Sequence, residues 1–430
     1  MKYQAINPAL FRLNRQRFCE HMLPNSIAVF QSNALMPRNG DCYFPFRQNS
    51  DLFYLTGLDQ EEVILVLYPN CPKGENFEEL VFTKKTNSHI RVWEGYKYTQ
   101  EDVTRVSGIR NVIWREHMDG VLREMIQLAG HVYVNGNENY RSLNEIEDHY
   151  NRFTKKLQAA YPAHQYLRAQ PILKKLRTIK SSYEVAIMQT ACDITEKAFR
   201  RVLNTTKVGM MEYEVEANVT YEFIRNGASG PAYTPIVASG GNACTLHYTS
   251  NDAVLKDGDV LLMDFGSEYA NYASDLSRSI PVNGRFTDRQ RTVYNAVLRV
   301  KKEAEKMLVA GTRLQEYNAE VGLIMQAELV QLGLISQTDI ENQDPAWPAY
   351  KKYFMHGTSH HLGLDVHDLG DRYAEFQKGM VFTCEPGIYI PKENLGIRLE
   401  DDILITEGAP VNLMKNIPIE ADEIESLMHP

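Results

Sequence analysis

An α/β domain followed by an α+β domain is the fold class this chain predicts. Before residue 174, short apolar runs rich in β-branched residues are mixed with helical candidates, the pattern of an α/β unit. After it, long helices with capping signals are interleaved with strand pairs, the pattern of helices beside antiparallel hairpins. A third observation ties this second half to chemistry. Four histidines lie between Phe354 and Asp368, and carboxylates sit inside apolar, strand-like segments before and after them.

In the first half, Ser26–Phe30, Val63–Tyr68, Leu80–Thr83 and His131–Val134 read as strands, and residues 119–129 and 142–159 as helices. Pro162 and Pro171 punctuate the connection that follows. Residues 1–173 are expected to form one domain and residues 174–430 the next. Ser181 with Glu184 makes a capping box, and Ile187, Ala191, Ile194, Ala198 and Val202 lay an apolar stripe at helical spacing, so a long helix begins there. Further helices are expected at 211–226, ended by Gly227, at 288–308, opened by Thr287 with Gln290, and at 314–332, ended by Gly333. No tandem repeat or low-complexity segment is visible.

Strand-like segments carrying acids intervene. Asp264 ends the run Gly258–Gly266, which is apolar on both faces, so its carboxylate is expected to point into protein. Asp275 follows in Tyr272–Ile280, and the two segments are expected to pair as a hairpin with both acids facing one spot. Glu385 lies in Met380–Ile390, where Pro386 and Gly387 predict a break at the acid. Glu400 lies in Gly396–Ile405, which alternates at period two. Bare carboxylates are costly to bury at such positions. For any one of them alone, a salt bridge from a nearby arginine, such as Arg278 or Arg398, is the plainer account. Four acids with a histidine cluster fit divalent cations better, since four carboxylates balance two such ions and a neutral imidazole adds one nitrogen ligand. Oxygen-rich ligation with a single nitrogen and no thiolate favours Mn2+, with Co2+, Fe2+ or Zn2+ as the alternatives.

The ordered set of Asp264, Asp275 eleven residues on, H-x-x-x-H-x-x-G-x-D-V-H-D from His356, E-P-G-x-Y from Glu385 and G-I-R-x-E-D from Gly396 resembles the two-metal peptidases of the pita-bread fold. Within them it is most similar to the Xaa-Pro aminopeptidases (aminopeptidase P), a family that also contains prolidase. Five short motifs in order form a far stronger signal than any one of them. The likeness extends to Tyr43–Gly57 in the first half, which looks like aminopeptidase P more than prolidase. The resemblance implies an aminopeptidase P N-terminal-like first domain and a pita-bread catalytic domain, with helices backing a curved sheet.

It also implies roles. Asp264, Asp275, His360, Glu385 and Glu400 match the family's five metal ligands, with Asp275 and Glu400 bridging both ions, Asp264 completing one and His360 and Glu385 the other. A water shared by two ions becomes a hydroxide nucleophile near neutral pH, and Glu385 is the candidate to carry a proton to the leaving amine. His247 and His367 match positions that face substrate and stabilise charge developing on the scissile carbonyl. A lone histidine in an apolar setting is more often a satisfied core residue, and the motif context is what reverses that reading. His356 reads as a supporting or substrate-contacting group, while His361 is expected on the opposite strand face. Arg398, two residues before Glu400, is expected to share its face and orient that carboxylate. Tyr389 and Tyr233 match aromatic positions around the site. Asp41 and Trp93 resemble first-domain residues that reach a substrate pocket.

The implied reaction is removal of an N-terminal residue from peptides with proline second. An X-Pro nitrogen carries no hydrogen and the ring fixes φ, so general peptidases handle this bond poorly. Prolidase activity on Xaa-Pro dipeptides is the nearest alternative. Methionine aminopeptidase shares the catalytic fold but lacks so large a first domain, and a non-catalytic pita-bread scaffold is the alternative of another class.

Composition agrees with a globular enzyme: 430 residues, 43% hydrophobic and 23% charged, enough for two or three domains. A net charge of -9 argues against bulk nucleic-acid binding and against an anionic membrane surface. The N-terminal residues lack the apolar core and cleavage site of a secretory signal, and no run is long enough to span a bilayer. The six cysteines, Cys19, Cys42, Cys71, Cys192, Cys244 and Cys384, have no C-x-x-C spacing and are expected as free thiols in the cytoplasm. Cys384, beside Glu385, is expected to pack on the other strand face. Family resemblance implies a homodimer or homotetramer.

Overall fold

The computed structural model describes residues 3–139, 141 and 147–429. They form two compact units, which divide between Arg177 and Thr178.

The first unit is built on a six-stranded mixed sheet in the order Asn111–Trp114, Glu79–Thr83, Ile64–Leu67, Ser26–Gln31, His131–Val134 and Gln165–Arg168. Ser26–Gln31 and Ile64–Leu67 pair antiparallel and are buried along their whole length, which is why both read as unbroken apolar runs. His131–Val134 joins Ser26–Gln31 in parallel. The helices Met118–Leu128 and His149–Ala160 lay Leu122, Met125, Ile126 and Leu157 onto the same core as Ile27, Val29, Val66 and Val132. The second helix starts later than its apolar pattern suggests, because Asp148 caps it by accepting from Asn151 N–H. Residues 142–146 of that expected helix lie outside the described residues.

In the second unit the expected helices appear as Ser182–Thr205, Glu212–Arg225, Asp288–Lys306 and Leu314–Gln331. Both expected capping boxes form, Ser181 with Glu184 and Thr287 with Gln290. Of the apolar stripe, Ala191, Ile194, Ala198 and Val202 are buried and Ile187 is half-buried. The first pair of helices leads into strands, and the second does so after the short helix Gln337–Glu341 and a 3-10 turn, so the order roughly repeats along the chain.

The acid-bearing strands depart from expectation at two points. Val260–Phe265 and Leu276–Pro281 do pair antiparallel, with Asp264 opposite Ser277. They are not a simple hairpin, because Ser267–Tyr269 and Tyr272–Ala273 between them belong to another sheet. Gly266 makes that detour possible: a Cβ there would lie 1.6 Å from the Ser274 carbonyl oxygen. The segment Gly396–Ile405 is likewise not one strand. Leu395–Arg398 pairs with Gly387–Ile390, Asp401–Leu404 pairs with Val381–Cys384, and Glu400 sits at the crossing between the two sheets. Glu385 lies at the matching break between Val381–Cys384 and Gly387–Ile390, where the sequence placed it.

Candidate metal centre

The breaks bring the acids together. A cavity of about 240 Å³ is lined by Asp264, Asp275, Glu385 and Glu400 together with His247, His356, His360, His367, Tyr233 and Arg398. Its apolar walls are Ile236, Leu246 and Val366. Ile236 and Leu246 belong to a cluster built on Ala238, Ala243, Leu262 and the fully buried Tyr389.

Asp275, His360 and Glu400 each offer a ligand atom within 4.8 Å of the others. His360 Nε2 stands 3.5 Å from Asp275 Oδ2 and 3.7 Å from Glu385 Oε1. The other ring nitrogen, Nδ1, donates to the His361 carbonyl oxygen at 3.0 Å, which turns Nε2 toward the acids. The Tyr233 hydroxyl touches Asp264 Oδ1 at 2.5 Å and also Asp275 Oδ1. One phenolic hydrogen serves only one of those two carboxylates, so three oxygens are crowded around a single proton.

Burial raises the pKa of Asp275, Glu385 and Glu400 above the usual carboxylate range, and in each case the neighbouring acids push it further. His360 opposes this at Asp275 and Glu385, and Arg398 at Glu385 and Glu400. The converging acids, the crowded oxygens and the inward-facing Nε2 suit an oxygen-rich divalent cation site with one imidazole.

Around this set, the supporting contacts form a chain. Arg398 donates from Nη2 to Asp264 Oδ2 at 2.6 Å, from Nε to Ser277 Oγ at 2.8 Å and from Nη1 to the Tyr389 hydroxyl at 3.0 Å. Arg398 and Glu400 both line the cavity, but the carboxylate that Arg398 grips is Asp264 and not Glu400, a correction to the expectation that it orients Glu400: the chain passes from one sheet to another between Arg398 and Asp401. Glu400 is reached through Ser277, whose hydroxyl donates to Oε2 at 2.7 Å. Arg278, near Asp275 in sequence, pairs instead with Asp401 at 2.6 Å.

His356 Nε2 lies 2.8 Å from the Tyr389 hydroxyl and Nδ1 lies 2.7 Å from the Gly357 carbonyl oxygen. Burial, aided by the nearby Arg398 charge, holds the His356 pKa down to about 4, so this imidazole is neutral at physiological pH. His367 stacks edge-on against His360 with ring centroids 4.5 Å apart. His361 packs on Phe382 at 4.2 Å, and Cys384 is buried against Tyr317, each away from the lining. Within the first unit, Asp41 sits in the turn between Pro37–Asn39 and Cys42–Tyr43, and Trp93, 78% exposed, lies on the helix Ser88–Glu94. Ser277 was missed in the sequence, where nothing distinguishes it from any other strand serine.

Comparison with known proteins identifies the family. Residues 186–407 match the model of metallopeptidase family M24, and residues 11–133 match the aminopeptidase P N-terminal domain. The Xaa-Pro aminopeptidase of Haemophilus influenzae is 36% identical, with 97% of each chain covered. The structure of aminopeptidase P from E. coli with the inhibitor Pro-Leu superimposes with a TM-score of 0.88 at 32% identity, covering 99% of both chains. The zinc-substituted E. coli enzyme with product matches with the same score, identity and coverage. The second unit is thus a pita-bread catalytic domain, and the resemblance drawn from the motifs holds along nearly the full chain. With an M24 domain over half its residues and Xaa-Pro aminopeptidase relatives matched end to end, this hydrolase belongs to the Xaa-Pro aminopeptidases of metallopeptidase family M24.

Proposed function

We propose that this chain removes the N-terminal residue from peptides whose second residue is proline, using two divalent ions held by Asp264, Asp275, His360, Glu385 and Glu400. The observation that carries the proposal is the meeting of Asp275, His360 and Glu400 within 4.8 Å in a cavity also lined by Asp264 and Glu385. When bound, two divalent ions lower the pKa of water, making it nucleophilic near neutral pH, and polarise the scissile carbonyl; manganese suits the oxygen-rich donors best.

The protein's own groups do the rest. Glu385, whose pKa burial and like charge bring up from the usual carboxylate range, takes a proton from the attacking water and returns it to the prolyl nitrogen as that bond breaks. His247 and His367 donate to the carbonyl oxygen as its charge grows. Arg398 fixes Asp264 by a charge-assisted contact and locks Tyr389, which in turn holds the neutral His356 in place. Tyr233 orients Asp264 and Asp275. Ile236, Leu246 and Val366 give the substrate's apolar groups a dry wall.

The working form is read as a homodimer or homotetramer in the cytoplasm. The six free cysteines agree with a reducing compartment, and no helix among the described residues is long and apolar enough to cross a membrane. The deciding experiment adds manganese back to chelated protein and compares Xaa-Pro dipeptides with Xaa-Pro-containing tripeptides. Metal-dependent cleavage of the tripeptides is expected. Cleavage confined to dipeptides would make the enzyme a prolidase, and no cleavage of either would point to a scaffold.

A further inference from the structure

Glu212 opens the helix Glu212–Arg225 and is fully buried, at 0% exposure. Its Oε1 accepts from Ser239 N–H at 2.7 Å, Ser239 Oγ at 2.8 Å and Asn242 Nδ2 at 3.2 Å. Its Oε2 accepts from the Tyr248 hydroxyl at 2.8 Å and Ala253 N–H at 3.0 Å. Two of the five donors are on Ser239, the last residue of the strand Ile236–Ser239, and the other three lie in the connection from there to the strand Val260–Phe265. That same connection supplies Leu246, His247 and Thr249 to the cavity lining.

The connection has little other regular structure: a short 3-10 turn at Gly240–Cys244 and, at its end, an antiparallel bridge of Val254 with Met211. This turn is seated closely on the strand Leu395–Arg398, since a Cβ on Gly396 would lie 2.3 Å from the Ala243 carbonyl oxygen. Its far end is pinned by Asn251, which donates to Glu216 Oε2 at 2.8 Å and the Pro235 carbonyl at 2.9 Å. Alongside these two anchors, Glu212 gathers donors from both sides of His247. A buried carboxylate makes stronger hydrogen bonds than a neutral acceptor and leaves several donors stranded if removed.

We propose that Glu212 is a positioning residue for His247, its carboxylate holding residues 239–253 in the course that delivers the imidazole to the cavity. This rests on the reading of His247 as a group that acts on the scissile carbonyl. Glu212 itself is absent from the lining of the cavity, so its effect on the reaction runs through the connection.

The test uses the full-length, manganese-loaded protein, an Xaa-Pro tripeptide and the variants Glu212→Gln, Tyr248→Phe and His247→Ala, singly and combined. Glutamine keeps the shape but turns an NH2 group toward donors. Glu212→Gln is expected to lower kcat about 10- to 100-fold with KM little changed, the scale of loss from a small misplacement. Tyr248→Phe removes one of the donors and is expected to lose less. In the His247→Ala background neither change is expected to lower kcat further. An equal loss in both backgrounds, or a loss in KM alone, would overturn the proposal. Should Glu212→Gln fail to fold, Tyr248→Phe carries the same cycle. Amide exchange over residues 239–253 is expected to quicken in Glu212→Gln, and unchanged exchange there would also overturn it. That readout needs no turnover, so a wild-type protein inactive on the tripeptide would refute the functional reading while exchange still decides the role of Glu212.

Discussion

Arg398 makes three contacts from one planar fork, to Asp264, Ser277 and Tyr389. A lysine keeps the charge and loses the fork. With Asp264 as a proposed ligand, Arg398→Lys is expected to weaken manganese binding or activity by about 10- to 100-fold, the usual cost of losing a partner behind a metal ligand. A metal titration of the chelated variant alongside tripeptide turnover reads both effects. Asp275→Asn is the sharper change, since it removes one charge from the most crowded part of the site, next to Tyr233, His360 and Glu400. It is expected to abolish the two-ion site. Full activity with two bound ions in this variant would rule out the assignment. The acids themselves were legible in the sequence because a carboxylate ending an apolar run is conspicuous. Their partners were not: Asp264 and Arg398 are 134 residues apart, Ser277 and Glu400 are 123 apart, and no local pattern links either pair.

Helices and strands at this scale follow local rules, and their failures are informative. The helix Gln100–Ser107 begins with a capping box between Thr99 and Asp102, and Asp102 also accepts from Tyr96 and Arg105. Although burial alone would raise it, these hydrogen bonds hold the Asp102 pKa below the usual carboxylate range. A carboxylate with a depressed folded pKa binds fewer protons folded than unfolded, so its stabilisation is complete above the unfolded value of about 3.9 and is lost as pH falls through the folded one. Acid titration of stability is therefore expected to show a loss below about pH 4 that Asp102→Asn reduces. Hydrogen exchange in this helix at pH 3 and pH 6 would check it, equal protection of the wild type at both counting against the assignment. Gly266 marks a different kind of limit. With a Cβ 1.6 Å from the Ser274 carbonyl, Gly266→Ala must move the backbone that leads into Asp275. A stability loss of about 1–3 kcal/mol is expected, as for an overpacked core site, together with weaker manganese binding. A urea midpoint unchanged from wild type would argue that the detour relaxes freely.

For the molecule as a whole, metal binding is expected to act as folding energy for the catalytic unit, because the proposed ligands come from chain positions 264 to 400 and meet only when that unit is folded. At a free manganese concentration one hundred times Kd, the stabilisation is about 2.7 kcal/mol per site. Calorimetry of chelated and manganese-loaded protein is expected to show the transition of residues 178–429 moving upward, and a thermogram indifferent to metal would contradict the site. The first unit has its own apolar core around Ile27, Val66, Phe82 and Val132, without any of the proposed ligands. Much of this architecture was open to a reader of the chain. Apolar periodicity, the capping boxes at Ser181 and Thr287, and the proline and glycine after Glu385 are local features, and local sterics and hydrogen bonding decide what they form. The motifs also identified the family, because five of them in one order and spacing are far more specific than any one alone. Tertiary structure alone decided that the two acid-bearing strands are separated by a second small sheet, that Arg398 holds Asp264, and that Glu212 gathers the connection bearing His247. Those pairings join residues tens to more than a hundred positions apart, and they are set by how whole sheets cross and pack, a property that no window of neighbouring residues contains.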